Sequence, residues 1–147
     1  MEWMYKRFDE LTALELYQII KARIDVFVVE QDCPYPELDN HDQAAVHLYL
    51  HHDKDIVAYA RLLPPGSTYC QASIGRVLVH SNYRGGGYGK ELLIRSIDYI
   101  INEWQEKEIK IQGQEYLRRF YGSFGFEEIS DVYLEDGIPH VDMLLKK

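Results

Sequence analysis

Apolar positions recur at helical spacing from Leu92 onward, where Leu92, Leu93, Ile97, Ile100, Ile101 and Trp104 fall on one stripe. An apolar strand, Ile74-Gly75-Arg76-Val77-Leu78-Val79, precedes this helix and turns through His80–Tyr83 into a glycine run. Upstream, Glu2 to Phe8 alternates as a first strand, and Thr12 with Glu15 makes a capping box. Leu14, Tyr17, Ile20, Ile24 and Phe27 then mark a helix face continuing toward Glu30, ended by Pro34 and Pro36. An acidic loop over residues 37–42 leads to strands at Val46–Leu50 and Ile56–Leu63, joined as a hairpin across His52–Asp55. After the long helix come a strand at Glu108–Gln112, a helix at Gln114–Phe124 stopped by Gly125, and a strand at Phe126–Ser130. A turn over Glu135–Pro139 precedes the last strand, Val141–Leu145. The order β-α-β-β-β-α-β-α-β-β predicts an α/β chain of one domain, residues 1–147. Its twisted mixed sheet carries helices on both faces, and only the central strand-helix-strand unit need be parallel.

The glycine run Arg84-Gly85-Gly86-Gly87-Tyr88-Gly89-Lys90 opens the long helix and sets backbone N–H groups at its positive end, a place for phosphate oxygens. It is not a P-loop, because Glu91 follows Gly89-Lys90 and Arg84 stands where that motif needs its first glycine. Nor is it the dinucleotide fingerprint, which needs glycine where Lys90 stands. A glycine-rich surface turn capping a helix remains the plain alternative.

Charge and composition narrow the classes. With 24 acidic and 16 basic residues, a net charge of −8, the chain lacks the basic balance of a nucleic-acid binder. No apolar run approaches the roughly 20 residues that span a bilayer, and Met1–Arg7 has no signal-peptide core, so a cytoplasmic location is expected. Cys33 and Cys70 form no disulfide framework. His51-His52-x-x-Asp55 and Asp39-x-His41-Asp42 read as solvated turns, and no metal is expected.

Arg84-x-x-Gly87-x-Gly89 after an apolar strand resembles the pyrophosphate loop of the GNAT superfamily of N-acetyltransferases, and Phe120-Tyr121-Gly122-Ser123-Phe124-Gly125-Phe126 resembles that family's second coenzyme motif. Glu30-Gln31-x-Cys33-Pro34-Tyr35, Arg61–Gly66, Ile74–Val77 and Glu135–His140 are similar to its ElaA-like subgroup. Ser81 departs from the proline many members carry before the loop. The resemblance implies the GNAT fold and acetyl-CoA as co-substrate, with an acetyl group passing to a small-molecule or peptide amine. It implies Val77 and Val79 for main-chain pairing with pantetheine, Leu78 or Val79 as an oxyanion donor, and Arg84, Gly85, Gly86, Gly87, Tyr88, Gly89 and Lys90 around the pyrophosphate. Tyr121 would protonate the departing thiolate, and Glu30 or His140 would take the amine proton. His47 reads as structural. Pairing into a homodimer is a family habit. The alternative is a binding module of the same fold that senses acyl-CoA without turnover.

Overall fold

A computed structural model describes all 147 residues. Strand β1 (Glu2–Arg7) leads into helix α1 (Ala13–Ile24), which runs on as a π-helical segment over Asp25–Glu30. Strands β2 (Val46–His52), β3 (Asp55–Leu63) and β4 (Ala72–Val79) follow. Helix α2 (Tyr88–Asp98), with a π-helical end at Tyr99–Glu103, crosses to β5 (Glu108–Gln114). The short α3 (Arg118–Gly122) precedes β6 (Glu127–Glu128), β7 (Tyr133–Glu135) and β8 (Ile138–Lys146). One mixed sheet results, ordered β1-β2-β3-β4-β5-β8-β6 with β7 beside β8, and only β4 and β5 are parallel.

Alternation along the strands divides the core in two. Leu48, Leu50, Leu62 and Ile74 face Leu92, Leu93 and Ile100 of the α2 layer in a cluster of 19 buried residues. Tyr49, Ile56, Tyr59 and Leu78 face Ile19 of α1 in a smaller one. Helices therefore cover both faces, as the pattern predicts. The capping box is present too: Thr12 Oγ1 accepts from the Glu15 amide at 3.1 Å, and the Glu15 carboxylate accepts from the Thr12 amide at 2.8 Å.

Four expectations need correction. Leu14 and Tyr17 do not face the core; they are 65% and 66% exposed, and α1 buries Ile19 and Arg23 instead. A hydrophobic stripe drawn without Arg23 turns the helix the wrong way. The helix expected over Gln114–Phe124 is shorter, because β5 continues to Gln114 and Gly113 pairs with Val141 of β8. The strand at Phe126–Ser130 shrinks to Glu127–Glu128, and the turn at Glu135–Pro139 tightens to Asp136-Gly137 between β7 and β8. Both turn residues have positive φ (52° and 78°), the backbone that Asp-Gly favours in a two-residue hairpin. Pro139 and His140 consequently lie within β8.

Residues 31–45 contain one turn of 3-10 helix and no strand, yet Glu37 and Asp42 are buried. Arg23, fully buried, donates from Nε to Glu37 at 2.7 Å and from a terminal nitrogen to Asp42 at 2.8 Å. Arg61 of β3 donates to Asp39 and Asp42 at 2.8 and 2.9 Å. Arg76 of β4 donates to Glu37 at 2.7 Å, and the Tyr35 hydroxyl donates to the same carboxylate. Beside them His47 bridges the Tyr59 hydroxyl (2.7 Å) and the Asp42 carbonyl (3.0 Å), a structural role as expected.

Removing one partner of such a buried set strands the others. Arg23→Ala is expected to lower unfolding free energy by about 3–5 kcal/mol in urea denaturation, and a loss below about 1 kcal/mol would contradict this account. Acid should act on the same charges. Burial alone would raise the Asp39 and Asp42 carboxyls, but Arg61 and Arg23 outweigh it and hold both below the ordinary range. Glu15 is likewise held at about 2, burial being overcome by Lys6 and the Thr12 amide. A depressed carboxyl stabilises fully above its unfolded pKa of about 4 and loses that contribution as pH falls. The urea midpoint is therefore expected to stay level from pH 7 to about 5 and to drop below about 4, with a smaller drop in Asp39→Asn.

Candidate functional site

β4 and β5 pair only through Ala72–Ile109 and Ser73–Lys110. Beyond Ser73 they part, and the edge of β4 from Ile74 to Val79 faces β5 without a ladder. On its other edge the register with β3 shifts between Leu78–Tyr59 and Gly75–Arg61, so Arg76 and Val77 together oppose Ala60. This is a β-bulge, with Arg76 in the left-handed region at φ 52°. His80 then bonds back to Val57 of β3 through its amide at 2.8 Å. Successive strand amides point in opposite directions, so the Val79 N–H turns toward the gap.

Beyond His80 the chain makes a 3-10 turn at Ser81–Tyr83 and enters the glycine run. Gly85 and Gly87 have φ of 86° and 82°, a conformation that strains any residue with a side chain. Gly87 is the residue before α2, and Gly85, Gly86 and Gly87 are exposed. The first amides of α2, at Tyr88, Gly89 and Lys90, have no partner one turn earlier. A Cβ on Gly89 would lie 3.6 Å from Val79 and 3.8 Å from Phe120. The structure thus gathers the end of β4, the start of α2 and the Phe120–Phe126 motif. An open main chain at a helix N-terminus fits a diphosphate.

The remaining predicted residues have separate partners. Arg84 donates from Nε to the Val79 carbonyl at 3.0 Å, and a terminal nitrogen meets both Glu30 oxygens at 3.0 and 2.7 Å. That pair ties the end of the π-helical segment to the end of β4. Tyr121 is buried, with its ring edge-on to Phe120 and Phe126. Burial, and to a lesser degree Tyr116, pushes its hydroxyl well above the ordinary phenol range, so it stays protonated at neutral pH. His140 lies opposite Gln114 in β8, stacks on Tyr133, and has Nδ1 2.7 Å from the Ile138 carbonyl. A cavity of about 110 Å³ opens beside Glu30, between the end of α1 and Leu78 and His80 of the β4 end. A larger depression of about 530 Å³, at Phe8, Gln43, Val46 and Trp104, holds none of the predicted residues.

Sequence reasoning missed two features. Gln31 and Gln114 exchange side-chain amide bonds (3.3 and 3.5 Å), linking the end of the π-helical segment to the end of β5; nothing in the sequence pairs them. Arg76 could have been found, as the one charge inside an apolar strand. No group of three or more histidines, cysteines or carboxylates is arranged to hold a metal ion, and no helix is long and apolar enough to cross a membrane.

Residues 16–147 match the family described as the acetyltransferase (GNAT) domain. The chain belongs to the GNAT family. It is similar to a UPF0039 protein of Schizosaccharomyces pombe, 43% identical over 99% of this chain and 97% of that one. Protein ElaA of Escherichia coli is 37% identical over 97% of this chain and 95% of its own length. Among solved structures, an acyl-CoA N-acyltransferase from Pseudomonas aeruginosa superposes with a TM-score of 0.93 at 38% identity, covering 99% of each chain. The crystal structure of Escherichia coli ElaA gives 0.91 at 35% identity, covering 99% of this chain and 100% of that one. The mixed sheet is therefore the GNAT fold and the chain is ElaA-like. Family membership supports acyl transfer as its general chemistry and acyl-CoA as the class of donor.

The seat of Tyr121 can be tested directly. A Cβ at Gly113 would lie 3.1 Å from two ring atoms of Tyr121. Gly113→Ala is expected to destabilise the chain by about 1–3 kcal/mol by overpacking, and an unchanged thermal midpoint would contradict that packing.

Proposed function

We propose that the chain transfers the acetyl group of acetyl-CoA to an amine by direct attack in a ternary complex, with residues 1–147 acting as one catalytic domain. The parted strands carry this reading: the gap begins where β4 leaves β5 after Ser73 and ends at the open main chain of Gly85–Gly87. Pantetheine would pair with the main chain of Val77 and Val79, and the diphosphate would rest on the amides from Gly85 to Lys90. Of the two candidate oxyanion donors the Val79 N–H is favoured, because the His80 amide is spent on Val57 and its neighbour points the other way.

The amine nitrogen bonds to the thioester carbonyl carbon, the C–S bond breaks, and the amine loses one proton while the thiolate gains one. Tyr121, kept protonated by burial, suits the second transfer. For the first, Glu30 and His140 are the candidates. Glu30 lies against the small cavity but is paired with Arg84, whereas His140 has one ring nitrogen committed to Ile138. An amine acceptor, small or peptidic, suits a chain of net charge −8.

Calorimetric titration with acetyl-CoA, followed by thiol release with polyamine, amino-sugar and peptide panels, tests the proposal. Binding with thiol release is expected. Binding without release from any amine would leave the acyl-CoA-sensing reading, and no binding at millimolar supply would sink both. Tyr121→Phe is expected to lower kcat by about 10²-fold with little change in KM for acetyl-CoA, and an unchanged kcat would remove Tyr121 from the reaction. Gly87→Glu should abolish coenzyme binding, since charge and bulk would face the phosphates; unchanged affinity in calorimetry would refute the loop's role.

A further inference from the structure

Arg76 occupies an unusual place in β4. Its neighbours Ile74, Val77, Leu78 and Val79 are apolar, yet the bulged, left-handed position belongs to a long cation. The side chain does not reach solvent freely. Its Nε donates to Glu37 Oε2 at 2.7 Å, and a terminal nitrogen reaches the Glu37 carbonyl at 3.2 Å and Asp39 at 3.4 Å. The Tyr35 ring lies 5.8 Å from the guanidinium carbon. Arg23 of α1 holds the same Glu37 oxygen at 2.7 Å, and Glu37 is 4% exposed. The bulge is thus fastened to α1 through one buried carboxylate, one residue past the last β3 pair on that side, Gly75–Arg61.

We propose that Arg76 is a positioning residue whose grip on Glu37 and Asp39 holds the β4 bulge in the turn that aims the Val77–Val79 main chain at the acyl end of the bound thioester. This rests on the acetyl-transfer reading above. Arg76 touches no reacting atom; it acts through the strand that follows it.

Two ligands separate this role from plain stability. Acetyl-CoA engages both the loop and the parted strand, whereas adenosine 3′-phosphate 5′-diphosphate carries the diphosphate without pantetheine. Arg76→Gly accepts the left-handed backbone and removes the grip, while Arg76→Lys keeps one charged contact. For Arg76→Gly we expect acetyl-CoA affinity to fall at least tenfold and kcat to fall with it, while affinity for the nucleotide stays within twofold. Arg76→Lys should recover part of both losses, and it carries the same comparison if Arg76→Gly melts too low to assay. An equal loss for both ligands, or no loss for either, overturns the inference. A wild-type protein that binds neither compound overturns the acetyl-transfer reading itself, a result distinct from those two.

Discussion

Between α1 and the sheet, three arginines meet three carboxylates, with Arg23, Arg61, Glu37 and Asp42 buried and Arg76 and Asp39 partly so, and the irregular connection from residue 31 to 45 is folded because of them. Arg23 comes from the helix, Arg61 and Arg76 come from adjacent strands, and Glu37, Asp39 and Asp42 come from the connection itself. That segment offers little apolar surface, with Leu38 more than half exposed. Its fixed path therefore depends on directed, charge-assisted bonds, whose geometry specifies one arrangement where a greasy contact would tolerate several. Desolvating the four buried charges is expensive, so the set contributes more to uniqueness than to net stability.

Much of the fold was legible because its signals are local. The stripe from Leu92 to Trp104, the Thr12–Glu15 box and the end of the first helix before Pro34 and Pro36 each act through neighbours in sequence, and the structure keeps all of them. What escaped is long-range. Nothing local shows that α1 buries Arg23 and exposes Leu14, since the compensating carboxylates lie 14 and 19 residues away. The end of β5 escaped for a similar reason: Gly113 is a poor strand former whose extension is imposed by β8 across the ladder.

The glycine loop was the most legible part of the candidate site, because Gly85 and Gly87 adopt a backbone that residues with side chains disfavour. The side-chain chemistry was less so. The family resemblance proposed Glu30 but could not reveal that Arg84, 54 residues on, pairs with it while also bonding the Val79 carbonyl. One guanidinium there joins the end of the π-helical segment, the central strand and the loop. Roles assigned by residue type thus depend on partners that only the fold brings near.

The brevity of the β4–β5 seam has a mechanical consequence. Two residue pairs are the only ladder between two leaves, β1–β4 and β5–β8, which otherwise share the side-chain core beneath α2. A molecule lying in the gap would stitch the leaves together along most of their length. Filling the gap would then supply main-chain bonds to a strand edge that the seam itself leaves without a ladder.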